Sequence, residues 1–338
     1  MTQEKKKINW LLILQGWAML WVVIGHSPLA MDESIPVYVE LLYKFAYSFH
    51  MPLFIMISGY LFYMTRVRPV SNGGGQLWSY NHILKDKLIR LGIPFLVFTV
   101  IAMVVKSMFP GDMARQSSIS ISELVRAILY PGDGPLGELW FVAVIMWGFV
   151  FTPIWRVCLK SSWGMIGMFL FLLICYYRKS LGWYYDIHFL CIENAMDSLL
   201  FFYIGMILSK FSIADKTNTK ESNAWFMMTV GAIAYIFIDI SLIRVFSAIV
   251  FSCGLAFMLD KLLPQTFSSF RNYTYQIFLI GIFAQIAVKM VYKRVDMPYI
   301  VFYLICIIMG LYVPVGVSRI IEYINWKPIL MCIGLKKK

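Results

Sequence analysis

Long apolar runs, separated by short polar or basic segments, recur along almost the whole chain. They fall approximately at 8–27, 44–64, 88–108, 139–158, 163–178, 190–209, 224–240, 242–259, 273–291 and 299–320. Most of them are close to the ~20 residues that a helix needs to cross a hydrocarbon core of about 30 Å. The pattern therefore predicts an all-α fold with about ten transmembrane helices, that is, a polytopic integral membrane protein.

The composition excludes an ordinary soluble domain. Hydrophobic residues make up 60% of the 338 residues and charged residues 14%, whereas soluble domains average about 45–50% and about 25%. The basic start Lys5–Lys7 is typical of a signal peptide. However, the first apolar run is too long for a signal-peptide core, and no small-residue cleavage site follows His26. We therefore expect this run to be a retained helix.

The basic residues indicate a membrane topology rather than a nucleic-acid partner. The formal charge is +12, but the basic side chains lie in short segments between the apolar runs. With the amino terminus inside, 20 of the 30 Lys and Arg residues are cytoplasmic, so the positive-inside rule predicts a multi-pass cell-membrane protein with both termini in the cytoplasm. Lys289, Lys293 and Arg294 fall on the outer side, either as a local exception or as a site for something anionic.

Two connecting segments are longer than the others. The inner one, 65–87, contains Asn72 followed by the glycine run 73–75, which lacks the features of a phosphate-binding loop and predicts a flexible linker. In the outer one, 109–138, Ser120 and Glu123 have the spacing of a capping box that opens a short amphipathic helix. We expect this helix to lie on the outer surface or to cover the core. No internal repeat is apparent, which weighs against a transporter built from inverted halves.

Metal and disulfide sites are not indicated. The six cysteines are scattered along the chain, form no CxxC pair and mostly fall inside apolar runs. We therefore expect no bound metal and no bound cofactor.

Two of the four histidines lie in apolar runs at one predicted face of the membrane. His26 closes the first run and His50 opens the second. An ionisable group in the membrane is costly unless it has a partner or a task, and imidazole is the side chain best suited to take a proton from a hydroxyl near neutral pH. Each histidine alone could simply donate to a backbone carbonyl. Two in one corner favour a functional role for at least one of them.

Basic residues converge on the inner face around the glycine-rich linker. Arg66 and Arg68 end the second run, whereas Lys87 and Arg90 begin the third. Positive-inside anchoring explains Arg68 best. Arg90 lies furthest into an apolar run, so we expect it to have an anionic partner, either a carboxylate or a phosphate.

Acidic and aromatic residues mark a second group on the outer side. Glu193 and Asp197 are spaced i,i+4 and should point the same way, and Glu138 and Trp140 stand where the fourth run begins. These carboxylates could orient a histidine or hold a sugar hydroxyl, and Trp140 could support a sugar ring. For each of them alone, a position at the membrane interface is the more typical explanation.

Several short motifs resemble one known family. They are VVIGH at 22–26, FHMPLFIMISGYLF at 49–62, the basic segment at 87–94, LWF at 139–141, FFYIG at 201–205 and YTYQIFL at 273–279. Their order and content resemble the membrane-bound acyltransferase family 3, and within it the sugar O-acetyltransferases that modify exopolysaccharides, capsules and lipid-linked glycans. The resemblance implies one acyltransferase domain over residues 1–338.

Members of this family transfer an acyl group, usually acetyl, from acyl-CoA to a carbohydrate hydroxyl on the far side of the membrane. By resemblance, His26 matches the essential first-helix histidine, and Ser58, Gly59 and the basic residues after them match positions linked to the acyl-CoA site. Two positions depart from the family pattern. Gln15 stands in place of a basic residue and Gly281 in place of a histidine that many members carry.

These observations lead to one functional hypothesis. We expect an integral membrane O-acyltransferase that takes acetyl-CoA, or another acyl-CoA, as its donor substrate and a glycan as its acceptor. Arg66, Lys87 and Arg90 would bind the donor phosphates and replace the charge missing at Gln15. His26, with His50 beside it, would deprotonate the hydroxyl or carry the acyl group.

The remaining expectations concern the acceptor, the assembly and the rival function. Glu138, Trp140, Glu193 and Asp197 are the expected acceptor contacts. The expected partners are acyl-CoA, the carbohydrate and the lipid bilayer, without nucleic acid, and a homodimer is left open. The alternative is a non-enzymatic transporter or flippase in which the same polar residues line a path.

Overall fold

A computed structural model of the chain describes residues 8–29, 35–68, 79–109, 117–183 and 187–335. The lysines at 5–7 and the glycine run at 73–75 lie outside these residues, so the predictions made for them are untested. In the described part, all regular elements are helical. This agrees with the all-α prediction.

The α-helices follow one another with short connections. They are α1 (Asn9–His26), α2 (Val37–Phe62), α3 (Tyr80–Lys87), α4 (Ile93–Met108), α5 (Ile121–Leu129), α6 (Trp140–Val150), α7 (Thr152–Cys158), α8 (Ser162–Tyr177), α9 (Ile192–Lys210), α10 (Ile213–Thr217), α11 (Glu221–Phe237), α12 (Ser241–Leu262), α13 (Thr274–Tyr292), α14 (Tyr299–Ile324) and α15 (Lys327–Cys332). Two π-helical turns, Tyr63–Val67 and Leu88–Gly92, extend α2 and join α3 to α4. Shorter 3₁₀ turns cover Pro131–Asp133, Gly137–Leu139, Phe189–Cys191 and Arg271–Tyr273.

Each of the ten predicted runs falls on a helix, but ten membrane spans are not confirmed. Among the described residues, seven helices are long and apolar enough to cross a bilayer, and an eighth span forms if α6 and α7 count as one. The run 139–158 is bent by 53° between these two helices, where Pro153 removes a backbone donor from the first turn of α7. The runs at 163–178 and 224–240 form helices of 16 and 17 residues.

The chain divides into two compact units, and α2 passes from one to the other at Phe54. The first unit comprises residues 1–54 and 212–325, and the second comprises 55–211 and 326–338. In the first unit, α1 packs against α12, α13 and α14. Buried apolar side chains of α1, α13 and α14 form one core, including Val23, Ile277 and Leu311. This packing fixes the helix that ends in His26.

Glycines allow close helix contacts in the first unit. A Cβ added at Gly231 of α11 would lie 2.7 Å from the Ser247 carbonyl oxygen of α12. A Cβ added at Gly281 of α13 would lie 2.7 Å from the Gly310 carbonyl oxygen of α14. Small residues at such contacts let two membrane helices approach until their backbones touch.

The second unit is built around the end of α2 and around α9. Gly59 of α2 contacts the Phe202 carbonyl of α9 so closely that an added Cβ would overlap it, and Gly205 of α9 contacts the Met56 carbonyl of α2 in the same way. The side chains of Phe62, Trp155 and Tyr203 are fully buried around this contact. The reciprocal glycine contact therefore sets the spacing of α2 and α9.

The predicted amphipathic helix is present as α5. Ser120 caps it, and its hydroxyl accepts a hydrogen bond from the Glu123 backbone N–H at 3.1 Å. Leu124 and Ile128 are half-buried, whereas Ile121 is 83% exposed. The capping prediction is therefore confirmed, while the placement of this helix on the outer surface stays a prediction.

Candidate active site

The carboxyl end of α1, which carries His26, is held by donors from two other helices. The Val23 carbonyl accepts from Gln285 Nε2 at 2.9 Å, the Ile24 carbonyl from the Tyr303 hydroxyl at 3.2 Å, and the His26 carbonyl from Lys289 Nζ at 2.8 Å. The last carbonyls of a helix have no partner within the helix, and a cation is favourable beside them. These contacts fix the backbone of His26 while its side chain stays half-exposed.

His50 is buried next to this end of α1. Its side chain is 1% exposed, and Nδ1 lies 2.5 Å from the Ala46 carbonyl one turn earlier in α2. Nδ1 is therefore the donor, which leaves Nε2 as the acceptor nitrogen of the neutral ring. His50 thus makes the contact with a backbone carbonyl that the sequence analysis kept as the structural alternative.

The two histidines form a cluster with Tyr47. The ring centroids of His26 and His50 are 6.4 Å apart, and the Tyr47 hydroxyl lies 3.4 Å from His26 Nδ1. Gly25 makes this approach possible, because a Cβ there would lie 3.1 Å from the Tyr47 ring. The two histidines therefore lie together as predicted, and their chemical roles stay predictions. Of the two, His26 is the one that a substrate can reach.

The predicted donor-binding residues lie around the two π-helical turns. Arg66 pairs with Asp86 at 2.5 Å, and the Arg66 side chain is 13% exposed. Lys87 Nζ lies 4.3 Å from the centre of the Phe149 ring. Arg90 is exposed, and no carboxylate of the described residues pairs with it. Arg66 therefore has a carboxylate partner of the kind that we expected for Arg90.

Gly59 has a structural role, at a helix contact, that the sequence alone did not predict. Gly59 is buried at the contact between α2 and α9, and Ser58 beside it is half-buried. The motifs at 49–62 and 201–205 meet at this contact, so helix packing explains why both contain glycine. Their part in donor binding stays a prediction.

Glu193 and Asp197 do point the same way, toward a buried arginine. The Arg178 side chain is 3% exposed, and its guanidinium donates to Asp197 Oδ1 and lies 3.2 Å from Glu193 Oε1. Lys179 Nζ lies 2.6 Å from Glu193 Oε1, and this hydrogen bond raises the pKa of the Lys179 ammonium. The two predicted acids are therefore charged groups of an ion-pair network.

A cavity of about 270 Å³ opens beside this network. Trp140, Glu193 and Asp197 line it, so three of the four predicted acceptor residues come together there. Glu138 is half-buried one residue before Leu139 and is not among the described residues that line the cavity.

The comparison with protein families agrees with the motifs and the histidine cluster. The family model of the acyltransferase domain, Acyl_transf_3, matches residues 8–319. The chain belongs to the acyltransferase 3 family. Neither a curated protein nor a solved structure matches it significantly. Family membership supports a membrane acyltransferase in general.

The structure explains one departure from the family pattern in this acyltransferase. A histidine at position 281 would collide with the Gly310 carbonyl at the contact between α13 and α14. The other departure, Gln15, lies half-buried in α1, one residue before Gly16. A Cβ added at Gly16 would lie 3.1 Å from Arg271 Cβ, so a buried arginine lies next to this segment.

The sequence analysis missed several residues of the site. Gln285 and Lys289 are spaced i,i+4 in an apolar run, but of the two only Lys289 was considered, as a local exception or an anion site. Tyr47 lies one turn before His50 and belongs to none of the predicted sites. Arg178 ends an apolar run, and its pairing with Glu193 and Asp197 becomes apparent only in the folded protein.

Proposed function

We propose that this member of the acyltransferase 3 family transfers a short acyl group, acetyl in the first instance, from acyl-CoA to a hydroxyl of a cell-surface or lipid-linked carbohydrate. The observation that carries the proposal is the half-exposed His26 beside Tyr47 and His50, in a chain whose family is that of acyltransferases. Imidazole is the group that the cluster offers for taking a proton from a hydroxyl.

In the simplest mechanism, His26 acts as a general base. It accepts the proton of the carbohydrate hydroxyl while the oxygen attacks the thioester carbonyl, and the carbon–sulfur bond breaks to release CoA thiolate. The imidazolium then returns its proton to the thiolate, so the histidine is regenerated. In the alternative, a neutral His26 nitrogen attacks the thioester carbonyl, the carbon–sulfur bond breaks, and the ring proton passes to the departing CoA thiolate. The hydroxyl then attacks the acyl-imidazole, the carbon–nitrogen bond breaks, and the hydroxyl proton returns to the imidazole.

Lys87 and Arg90 are the proposed ligands of the CoA phosphates, with Arg66 in support. The exposed guanidinium of Arg90 suits phosphate binding because Arg makes bidentate contacts with oxyanions. Arg66 is the weaker candidate because Asp86 already neutralises it. Ser58 and Gly59 belong to the same proposed donor region.

Purified protein with [¹⁴C]acetyl-CoA tests the proposal. We expect the wild type to hydrolyse the donor slowly, or to pass the label to a glycan extract, whereas a transporter or flippase would do neither. His26→Ala should lower this activity by about 10²-fold or more, the usual loss when a general base is removed. His50→Ala should have a smaller effect.

His82→Ala is the matched control, because His82 is an exposed histidine in α3. It should retain full activity, and all the variants should be purified in equal yield. Equal and mild losses in His26→Ala and His50→Ala would show that neither histidine is the base.

A further inference from the structure

The cavity beside Arg178 is built from segments that are far apart in sequence. It lies between the turn Pro131–Asp133, the start of α6, the residues after α8 and the first turns of α9. Beside Lys179, the polar or aromatic side chains that line it are those of Asp133, Trp140, His188, Glu193, Asn194 and Asp197. Only three of these were expected from the sequence.

The charges around the cavity nearly cancel. Three carboxylates, those of Asp133, Glu193 and Asp197, stand beside two cations, Arg178 and Lys179, which leaves one net negative charge when His188 is neutral. His188 Nδ1 lies 2.8 Å from Asp133 Oδ2, so a protonated His188 would bring the sum to zero. The three carboxylates would repel a phosphate. A free cation would compete with Arg178 and Lys179, which already pair with Glu193 and Asp197.

The remaining groups suit a neutral ligand that is rich in hydroxyls. Carboxylate oxygens accept hydrogen bonds from hydroxyls, whereas the amide of Asn194 both donates and accepts. Trp140 adds a broad apolar ring to an otherwise polar lining. A sugar ring has the matching character, because its hydroxyls lie around an apolar face.

The wall formed by α9 is held in a fixed conformation. Leu190 and Cys191 have φ angles of 48° and 54°, in the left-handed region that bulky residues rarely adopt. Trp147 Nε1 donates to the Leu190 carbonyl at 3.0 Å, and the Cys191 side chain is 1% exposed. This turn sets the direction in which Glu193 and Asn194 leave the start of α9.

We propose that the cavity is a subsite for one uncharged sugar ring of the acceptor, with Asp133, Asn194 and Trp140 as its principal contacts. This inference rests on the proposed function, since it assigns the acceptor to a neutral carbohydrate. Glu193 and Asp197 would orient the hydroxyls of the ring, and Arg178 and Lys179 hold these two carboxylates in position.

Ligand binding by the purified full-length protein tests the subsite. The probes are the methyl glycosides of glucose, galactose and N-acetylglucosamine, together with glucose 6-phosphate, measured by saturation-transfer NMR. We expect at least one neutral glycoside to bind. Asn194→Ala and Asp133→Asn should each raise its Kd roughly 3- to 10-fold, the usual effect of one lost hydrogen bond. Both positions are exposed enough to tolerate the change.

Asn272→Ala is the matched control, because Asn272 is exposed on the turn Arg271–Tyr273. This variant should bind the neutral glycoside with the Kd of the wild type. The subsite is wrong if no neutral glycoside binds, if both cavity variants bind as tightly as the wild type, or if glucose 6-phosphate binds best. Hydrolysis of acetyl-CoA, measured in parallel, tests the proposed function separately. A protein that binds a neutral glycoside but does not hydrolyse acetyl-CoA would contradict the proposed function and still support the sugar subsite.

Discussion

At the end of α1, Lys289 has a structural role that the sequence alone does not show. It is one of three basic residues on the predicted outer side, and its ammonium donates to the His26 carbonyl at 2.8 Å. A cation at a helix carboxyl end is stabilising and satisfies a carbonyl that has no other partner in the helix. The hydrogen bond gives Lys289 a structural role, while its place on the outer side, and the choice between a local exception and an anion site, stay predictions.

The proposed donor site gives a prediction at the residue scale. Lys87→Ala or Arg90→Ala should raise the KM for acetyl-CoA roughly 10- to 150-fold, because a charge-assisted contact of about 1.5–3 kcal/mol is lost. Steady-state kinetics at saturating acceptor would measure this, and the KM for the acceptor should hardly change.

Arg68→Ala serves as the control for that experiment. Arg68 is exposed next to the linker and is expected to act as a membrane anchor. If both Lys87→Ala and Arg90→Ala leave the KM for acetyl-CoA unchanged, the donor must bind elsewhere. The outer basic group with Lys293 and Arg294 would then be the next region to test.

At the scale of the elements, a substitution at the contact between α2 and α9 tests whether Gly59 has a packing role. Gly59→Ala would place a methyl group against the Phe202 carbonyl, and since a backbone cannot yield like a side chain, α2 and α9 must separate. Overpacking of this kind usually costs about 1–3 kcal/mol. We therefore expect a Tm in detergent that is lower by several degrees.

Gly167→Ala is the matched control in α8, where an added Cβ would meet nothing within 4 Å. Alanine favours a helix over glycine by up to about 1 kcal/mol, so this variant should keep or raise the Tm. A Gly59→Ala protein with the Tm of the wild type but a raised KM for acetyl-CoA would instead support a role in donor binding.

The positions of the helices were predictable from the sequence, but their ends were less so. Apolar runs mark where a helix crosses the core, and each predicted run does coincide with a helix. The helix α2 starts at Val37, seven residues before the predicted run 44–64. The difference arises because Glu40 and Lys44 interrupt the apolar pattern. In the folded helix these two residues form an i,i+4 ion pair of 2.6 Å.

Part of the candidate site was predictable for a similar reason. His26 and His50 lie in neighbouring helices joined by a short connection, so their closeness follows from the order of the runs. Gln285 and Tyr303 reach α1 from more than 260 positions away in sequence. No local pattern specifies which distant helix supplies a donor, and that information arises only from packing.

At the scale of the whole molecule, the membrane topology can be tested directly. The excess of basic residues on one side predicts cytoplasmic termini and an external 109–138 segment. A reporter fused after residue 125 should therefore be active outside the cell, and one fused after residue 74 should be active in the cytoplasm. Fusions that place residue 125 in the cytoplasm would reverse the topology and the assignment of donor and acceptor faces.

The donors that hold the end of α1 have a consequence for biosynthesis. Lys289 follows His26 by 263 residues. At ~5–20 residues per second, this interval corresponds to on the order of 15 to 50 s of translation. During that time the last carbonyls of the first helix must find water or lipid headgroups as temporary partners. The helix that carries His26 is thus synthesised well before the side chains that bind its last carbonyls, so the end of α1 becomes fixed only late in synthesis.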